Sequence, residues 1–308
     1  MFKETNLRNH SSLHKLFYSL DVSAYKQRNL GIISLPTDIK YRNWSKDLTK
    51  RRIENDSQLE QYIKYDNKYR LNKNTLAVYE FKQNPILGKY KAVAFDLNRG
   101  IVLSQKSTHA MMQGLMRHAV HCDMIWQRML AREAGVDIYQ GIVMYNVLYF
   151  SMHAFSGNFF TDWICLHWIK DFHVKRHDQA IFNSIALDEN GLVYNFAFDS
   201  PKPNLTKIIG QYLFHNHYYS DLYYQHMLQE NNLRVTAINS DSILHNSNYY
   251  VQLDLYAIDS FKKLADKFYN HVLNLHLLTI VKEFKPLDYL HREHRFFTKQ
   301  IIKIRYNR

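Results

Sequence analysis

The amino-acid sequence predicts an α+β fold, with mixed and antiparallel sheets packed against amphipathic helices. Three features carry that expectation. "NTLAVYEF", "KYKAVAFDL" and "GIVLSQK" are short apolar runs separated by Asn-Pro, Leu-Gly and Asn-Arg-Gly turns, the pattern of consecutive strands. "STHAMMQGLMRHAVHCDMIWQRMLAREAG", residues 107–135, repeats its apolar residues at helical spacing. "AIFNSIALDENGLVYNFAF" sets two apolar runs around Asp188, Glu189, Asn190 and Gly191, a hairpin in which Gly191 takes a positive φ.

Taken in chain order, residues 1–73 are the most polar part. Within them "LHKLFYSLDVSAY" (13–25) predicts a helix with Leu13, Leu16, Phe17 and Leu20 inward, and residues 40–74 predict short helical pieces and loop. The strand-rich run opens at Thr75. The helix that follows it ends at Gly135, a C-cap. "IVMYNVLYF" and "DWICLHWIKDF" predict further strands on either side of "SMHAFSGNFFT". After the hairpin, "DSPKPN" starts the helix "LTKIIGQYLFHNHYYSDLYYQHMLQ". Beyond residue 232, "NLRVTAINS" and "NYYVQLDLYAI" predict strands. "SFKKLADKFYNHVLNLHLLTIVKEF" predicts a helix with Phe261, Leu264, Phe268, Val272 and Leu275 inward. The expected division is a basic, partly helical extension (1–73), an α+β core (74–231) and a C-terminal α+β region with a basic tail (232–308).

The central helix has two opposed faces. Met111, Met112, Leu115, Ala119, Cys122, Trp126, Met129 and Leu130 fall within about 100° of one another, a core-facing stripe. Arg117, His121, Arg128 and Arg132 form a cationic column on the other side, with no carboxylate among them. The chain as a whole has 40 Lys and Arg against 28 Asp and Glu, a net charge of +12. Residues 1–73 hold +7 of it, residues 74–220 +2 and residues 221–308 +3. Such an excess favours a polyanionic partner, because neutralised phosphates release condensed counterions. Double-stranded DNA is the expected partner. With no run of 18 apolar residues, no signal-like start and two cysteines without a CxxC partner, a cytoplasmic protein free of membrane spans is expected.

Catalytic signatures are missing from the sequence. It contains no GxGxxG, Walker loop, GxSxG or HExxH, and its 9 glycines are few for cradling phosphates on backbone N–H groups. "HNH" at 215–217 and "HREH" with His291 and His294 approach ligand spacing but lack third and fourth ligands. Cys122 lies near His118 and His121 in sequence, yet on the apolar face. Asp188 and Glu189 belong to a turn, so no acid–base pair stands out. No cofactor, metal or enzymatic role is expected. The aromatic segment "YNVLYFSMHAFSGNFFTDWICLHWIKDFHVKRH" fits either base stacking or a strand pair filling a core, with Lys170, Lys175 and Arg176 at its exposed end.

Residues from about 75 to 215 resemble the competence transcription factor family, ComK. The likeness runs through "NTLAVYEF", "KYKAVAFDL", the Ser107-initiated helix with paired Met111 and Met112, and the Trp163, Ile164, His167, Ile169 pattern. The Asn190-Gly191 turn and the helix after it complete the order. The chain departs from the family at "MRHAVHC", in its Ser-Gly-Asn loop, and in tails longer than the family norm. The resemblance implies a cytoplasmic, homo-oligomeric activator, open to adaptor or protease control, that binds AT-rich boxes largely through the minor groove. The narrow, strongly negative A·T minor groove attracts inserted Arg and Lys. Arg117, His121, Arg128, Arg132, Lys170, Lys175 and Arg176 are the expected DNA contacts. The alternatives are a plasmid or phage replication or regulatory DNA-binding protein, and a nuclease with clustered Asp, Glu and His around a divalent metal.

Overall fold

The computed structural model describes residues 33–118, 127–128, 131, 136, 140–144, 147–153, 161–175, 179–199, 204–231, 241–251, 263 and 266–274. The chain divides into two units, Met1–Tyr256 and Ala257–Arg308. The elements of the first unit are β1 (Asn43–Trp44), α1 (Lys46–Asn55), β2 (Ile63–Tyr65), β3 (Thr75–Glu80), β4 (Ala92–Asp96), β5 (Gly100–Ser104) and α2 (Thr108–His118). After them come β6 (Gly141–Met144), β7 (Val147–Ser151), β8 (Trp163–Cys165), β9 (Ile169–Lys175), β10 (Gln179–Ser184), β11 (Asn195–Asp199) and α3 (Leu205–Asn231). The fold is α+β. Among the described residues, no helix is long and apolar enough to cross a membrane.

Among the described residues the strands form two sheets. Seven run in the order β2-β5-β4-β3-β8-β7-β6, and four in the order β1-β11-β10-β9. Burial tells which faces are covered. Every residue of β3, β4 and β5 is buried, the mark of a sheet packed on both sides. One side takes Met111, Met112 and Leu115 of α2 against Val78, Ala94, Val102, Trp163 and Cys165. Residues one step along the pleat face the other way, where rings of the four-stranded sheet meet them: Trp44 lies 4.8 Å from Phe95, Phe196 5.3 Å from Phe95, and Phe198 5.0 Å from Tyr79. At the far half of the same side α3 supplies the cover, Tyr212 lying 5.7 Å from Phe150. Gly141 permits that approach, since a Cβ there would stand 2.6 Å from the Tyr212 ring. In β10 and β11 burial alternates, so the four-stranded sheet keeps one open face.

A row of amides crosses that open face. Register aligns Asn43, Asn195, Asn183 and Asp171 on neighbouring strands, with Asn195 Nδ2 donating to Asn43 Oδ1 at 2.8 Å and Asn183 Nδ2 to Asp171 Oδ1. The expected hairpin forms: Gly191 has φ 73°, and Leu187 N donates to Leu192 O at 2.9 Å.

Two expectations need correction. Residues 33–73 are not an appendage, because β1 pairs in parallel with β11 and β2 with β5, and Tyr41, Trp44, Leu59 and Tyr69 are buried. Strands of two or three residues in a polar stretch leave no alternation to read. The boundary at 231/232 likewise falls inside the first unit: Ser242 Oγ donates to Leu166 O at 2.8 Å, and Val251 N to Gly210 O at 3.1 Å. Residues 243–245 and 247–249 are 3-10 turns, so the start of "NYYVQLDLYAI" is not strand. The helix expected at 13–25 and the strand at 232–240 lie outside the described residues. In the second unit residues 266–274 are helical, with Phe268 and Val272 half-buried and Tyr269 and Leu273 exposed.

Candidate nucleic-acid interface

Lysines line one end of the seven-stranded sheet. Register defines that end, pairing Tyr65 with Leu103, Ser104 with Ala92, and Ala92 with Glu80. Here β2, β5 and β3 finish and β4 begins. Just past the paired residues come Lys68 after β2, Lys106 after β5, Lys82 after β3 and Lys91 before β4, while Lys89 projects from the β3–β4 hairpin. All five are exposed. Phe81 N donates to Lys91 O at 2.6 Å and Lys91 N to Ser104 O at 2.9 Å, so the segments leading to Lys82 and Lys106 flank that of Lys91, each about 5 Å from it. Tyr65, 55% exposed, adds an aromatic surface at the same end. Its ring lies 5.2 Å from that of Tyr90, and Lys89 Nζ sits 5.1 Å from the Tyr90 centroid.

The carboxylates nearby are already engaged. Asp66 pairs with Arg99 at 2.7 Å and Glu54 with Lys50 at 4.0 Å. Glu80, buried, accepts from Thr108 N and Thr108 Oγ1 at 2.7 Å each through Oε2, and from Lys82 N at 2.8 Å through Oε1. Asp162 Oδ1 accepts from Glu80 N at 2.6 Å and from Lys46 Nζ at 3.4 Å. Burial raises the pKa of both carboxyls above the usual carboxylate range. An acid pair of this kind is a place to look for proton transfer, but three of its four oxygens hold the chain in place. Glu80 ties the start of α2 to the end of β3, and Asp162 ties the β8 segment to β3. Among the described residues, no group of three His, Cys, Asp or Glu is placed to hold a metal ion. His215 is buried in α3 while His217 is exposed and faces Asp221 at 3.5 Å, so "HNH" does not converge.

The residues expected to contact DNA do not gather at one place. Arg117 and Arg128 are exposed. Arg117 lies nine residues along α2 from Thr108, about 13 Å from the lysine-rich end. Lys170 and Lys175 are exposed on β9, in the sheet on the opposite side of the seven-stranded sheet from α2. Lys170 occupies the register shift between β9 and β10, whereas Lys175 pairs with Gln179 in register. His121, Arg132 and Arg176 lie outside the described residues, as do Trp126 and Cys122. The aromatic segment fills the core through Tyr149, Phe150 and Trp163, and its Lys170, His173 and Lys175 are exposed. The lysine-rich end escaped sequence reading because its members are scattered from position 68 to 106. The signal was there in the strand pattern: Lys immediately follows "VYEF" and precedes "AVAFD", so a hairpin joining these strands brings both lysines to the same end of the sheet.

Comparison with protein families, with characterised proteins and with solved structures finds no match. The likeness to the competence factors therefore rests on the residues quoted above.

Proposed function

We propose that the chain is a DNA-binding transcriptional regulator that grips duplex DNA through the lysine-rich end of its seven-stranded sheet. The placement of exposed Lys68, Lys82, Lys89, Lys91 and Lys106 at one end of this sheet, where Tyr65 is also exposed, is the observation that carries this reading. Residues 33–118 support it, with 16 Lys and Arg against 8 Asp and Glu, two of the acids (Glu80 and Asp96) being buried. Clustered, flexible ammonium groups suit phosphate contacts, which give affinity and position without reading sequence. Sequence preference in this reading comes from A·T-rich grooves, whose narrow width concentrates negative potential. Activation of transcription, self-association and regulation by an adaptor follow from the competence-factor resemblance and belong to the same proposal.

A gel-shift with AT-rich and GC-rich duplexes at two salt concentrations tests it. Binding that weakens steeply with salt and favours the AT-rich duplex is expected. A flat salt response, or no binding at low ionic strength, overturns it.

A further inference from the structure

The hairpin that carries Lys82, Lys89 and Lys91 ends in a strained apolar residue. Leu87 has φ 49°, in the left-handed region, followed by Gly88 at 71°. Glycine accepts that region freely, but leucine is strained there. The side chain so placed is 47% exposed. A single exposed leucine is ordinary in itself. This one stands at the tip of a hairpin held from several sides.

Ile86 N donates to Tyr90 O at 2.9 Å and Tyr90 N to Ile86 O at 3.0 Å, closing the loop below the tip. The Ile86 and Tyr90 side chains are buried, anchoring both arms. Asn84 accepts from Lys50 Nζ at 2.6 Å, Leu87 N donates to Glu54 Oε1 at 3.4 Å, and Gly88 N to Pro85 O at 3.3 Å. The tip is thus a braced apolar point, with the Glu54 carboxylate on its amide, Lys82 on one arm of the hairpin and Lys89 and Lys91 on the other.

A rigid apolar side chain between cationic flanks is what a protein needs to part a base step in the minor groove. The cations hold the phosphates on either side while the wedge unstacks the step and bends the duplex away. We propose that Leu87 is such a wedge, with the 81–91 hairpin entering the minor groove of duplex DNA. This rests on the duplex-binding reading above. Flexible TA steps in an A·T-rich site are the chemistry it favours, because they unstack most easily.

The test uses the full chain and an A·T-rich duplex carrying a donor and an acceptor dye at its two ends. Anisotropy reports binding and energy transfer reports bending. The parent is expected to bind and to raise the transfer efficiency. Leu87→Ala is expected to bind with the same salt slope and an affinity lowered by less than about tenfold, while losing the bend. Leu87→Gly should also lose the bend yet melt at a higher temperature than the parent, since it removes the backbone strain; this separates the wedge from a folding defect. If the parent binds without bending, or if Leu87→Ala bends DNA as the parent does, the wedge is overturned and the binding reading stands. If the parent does not bind duplex DNA, both fall.

Discussion

Glu80 takes two hydrogen bonds from a single residue, the amide and the hydroxyl of Thr108, each at 2.7 Å. One carboxylate oxygen so caps the first turn of α2 and fastens it to the strand end from which Lys82 projects. Glu80→Ala leaves Thr108 N–H and Lys82 N–H without their acceptor in a mostly buried setting. A loss of about 2–4 kcal/mol is expected in urea unfolding. A loss under about 0.5 kcal/mol would mean that water replaces the carboxylate freely.

Gln127 pairs with the edge strand as another strand would. Its Nε2 donates to Val143 O at 2.9 Å, and Val143 N donates to its Oε1 at 2.9 Å. The side chain covers both outward-facing backbone groups of Val143, which β6 would otherwise present to a neighbouring chain. Gln127→Ala is expected to cost about 1–3 kcal/mol and to increase aggregation on mild heating, followed by light scattering. A variant with parental stability and scattering would show that this edge needs no cover.

Two buried histidines make the fold sensitive to acid. Burial lowers the pKa of both His167 and His215 to about 4. Between that value and the ordinary one near 6.5, the unfolded chain binds more protons than the folded one. The stability these groups confer is therefore complete above pH 6.5 and is lost as pH falls towards 4, on the order of 3 kcal/mol for each. Glu80 and Asp162, raised by burial, act in the opposite sense, since protonation favours their folded form, and they offset part of the loss. Urea midpoints measured from pH 7 to 4 should fall; a flat profile contradicts the assignment.

His215 has a further consequence, because neither ring nitrogen has a hydrogen-bond partner among the described residues. Replacing an unpartnered buried imidazole by leucine removes a desolvation penalty. His215→Leu should stabilise the protein at pH 7 by about 1–2 kcal/mol and flatten the acid limb. Destabilisation at pH 7 would mean that the imidazole is held by packing rather than by hydrogen bonds.

Much of the fold was legible where burial is one-sided or continuous. β3, β4 and β5 read as strands because both faces are covered and the runs are apolar except at their ends. The β10–β11 hairpin read from its alternation and its Asp-Glu-Asn-Gly turn. β1 and β2 did not, since a strand of two or three residues is fixed by its partner rather than by its own pattern. The candidate interface was hidden for a related reason. Arg117 and Arg128 catch the eye because a helix displays its period in sequence, whereas Lys82, Lys91 and Lys106 become neighbours only through strand register. Leu87 gave no sign at all, because its positive φ arises from the closure between Ile86 and Tyr90.

The lysine-rich end is tested most directly by the salt slope of duplex binding. Fluorescence anisotropy with an A·T-rich duplex, from about 0.05 to 0.3 M salt, gives that slope for the parent, for a Lys82, Lys89, Lys91 and Lys106 to Ala variant, and for an Arg117→Ala, Arg128→Ala variant. The lysine variant is expected to melt like the parent, bind more weakly and show a slope shallower by about one unit for each phosphate it no longer neutralises. The arginine variant is expected to keep the parental slope. A lysine variant with parental affinity and slope, alongside an arginine variant with weakened binding and a shallower slope, would contradict the account and move the DNA-binding surface to the α2 side of the sheet.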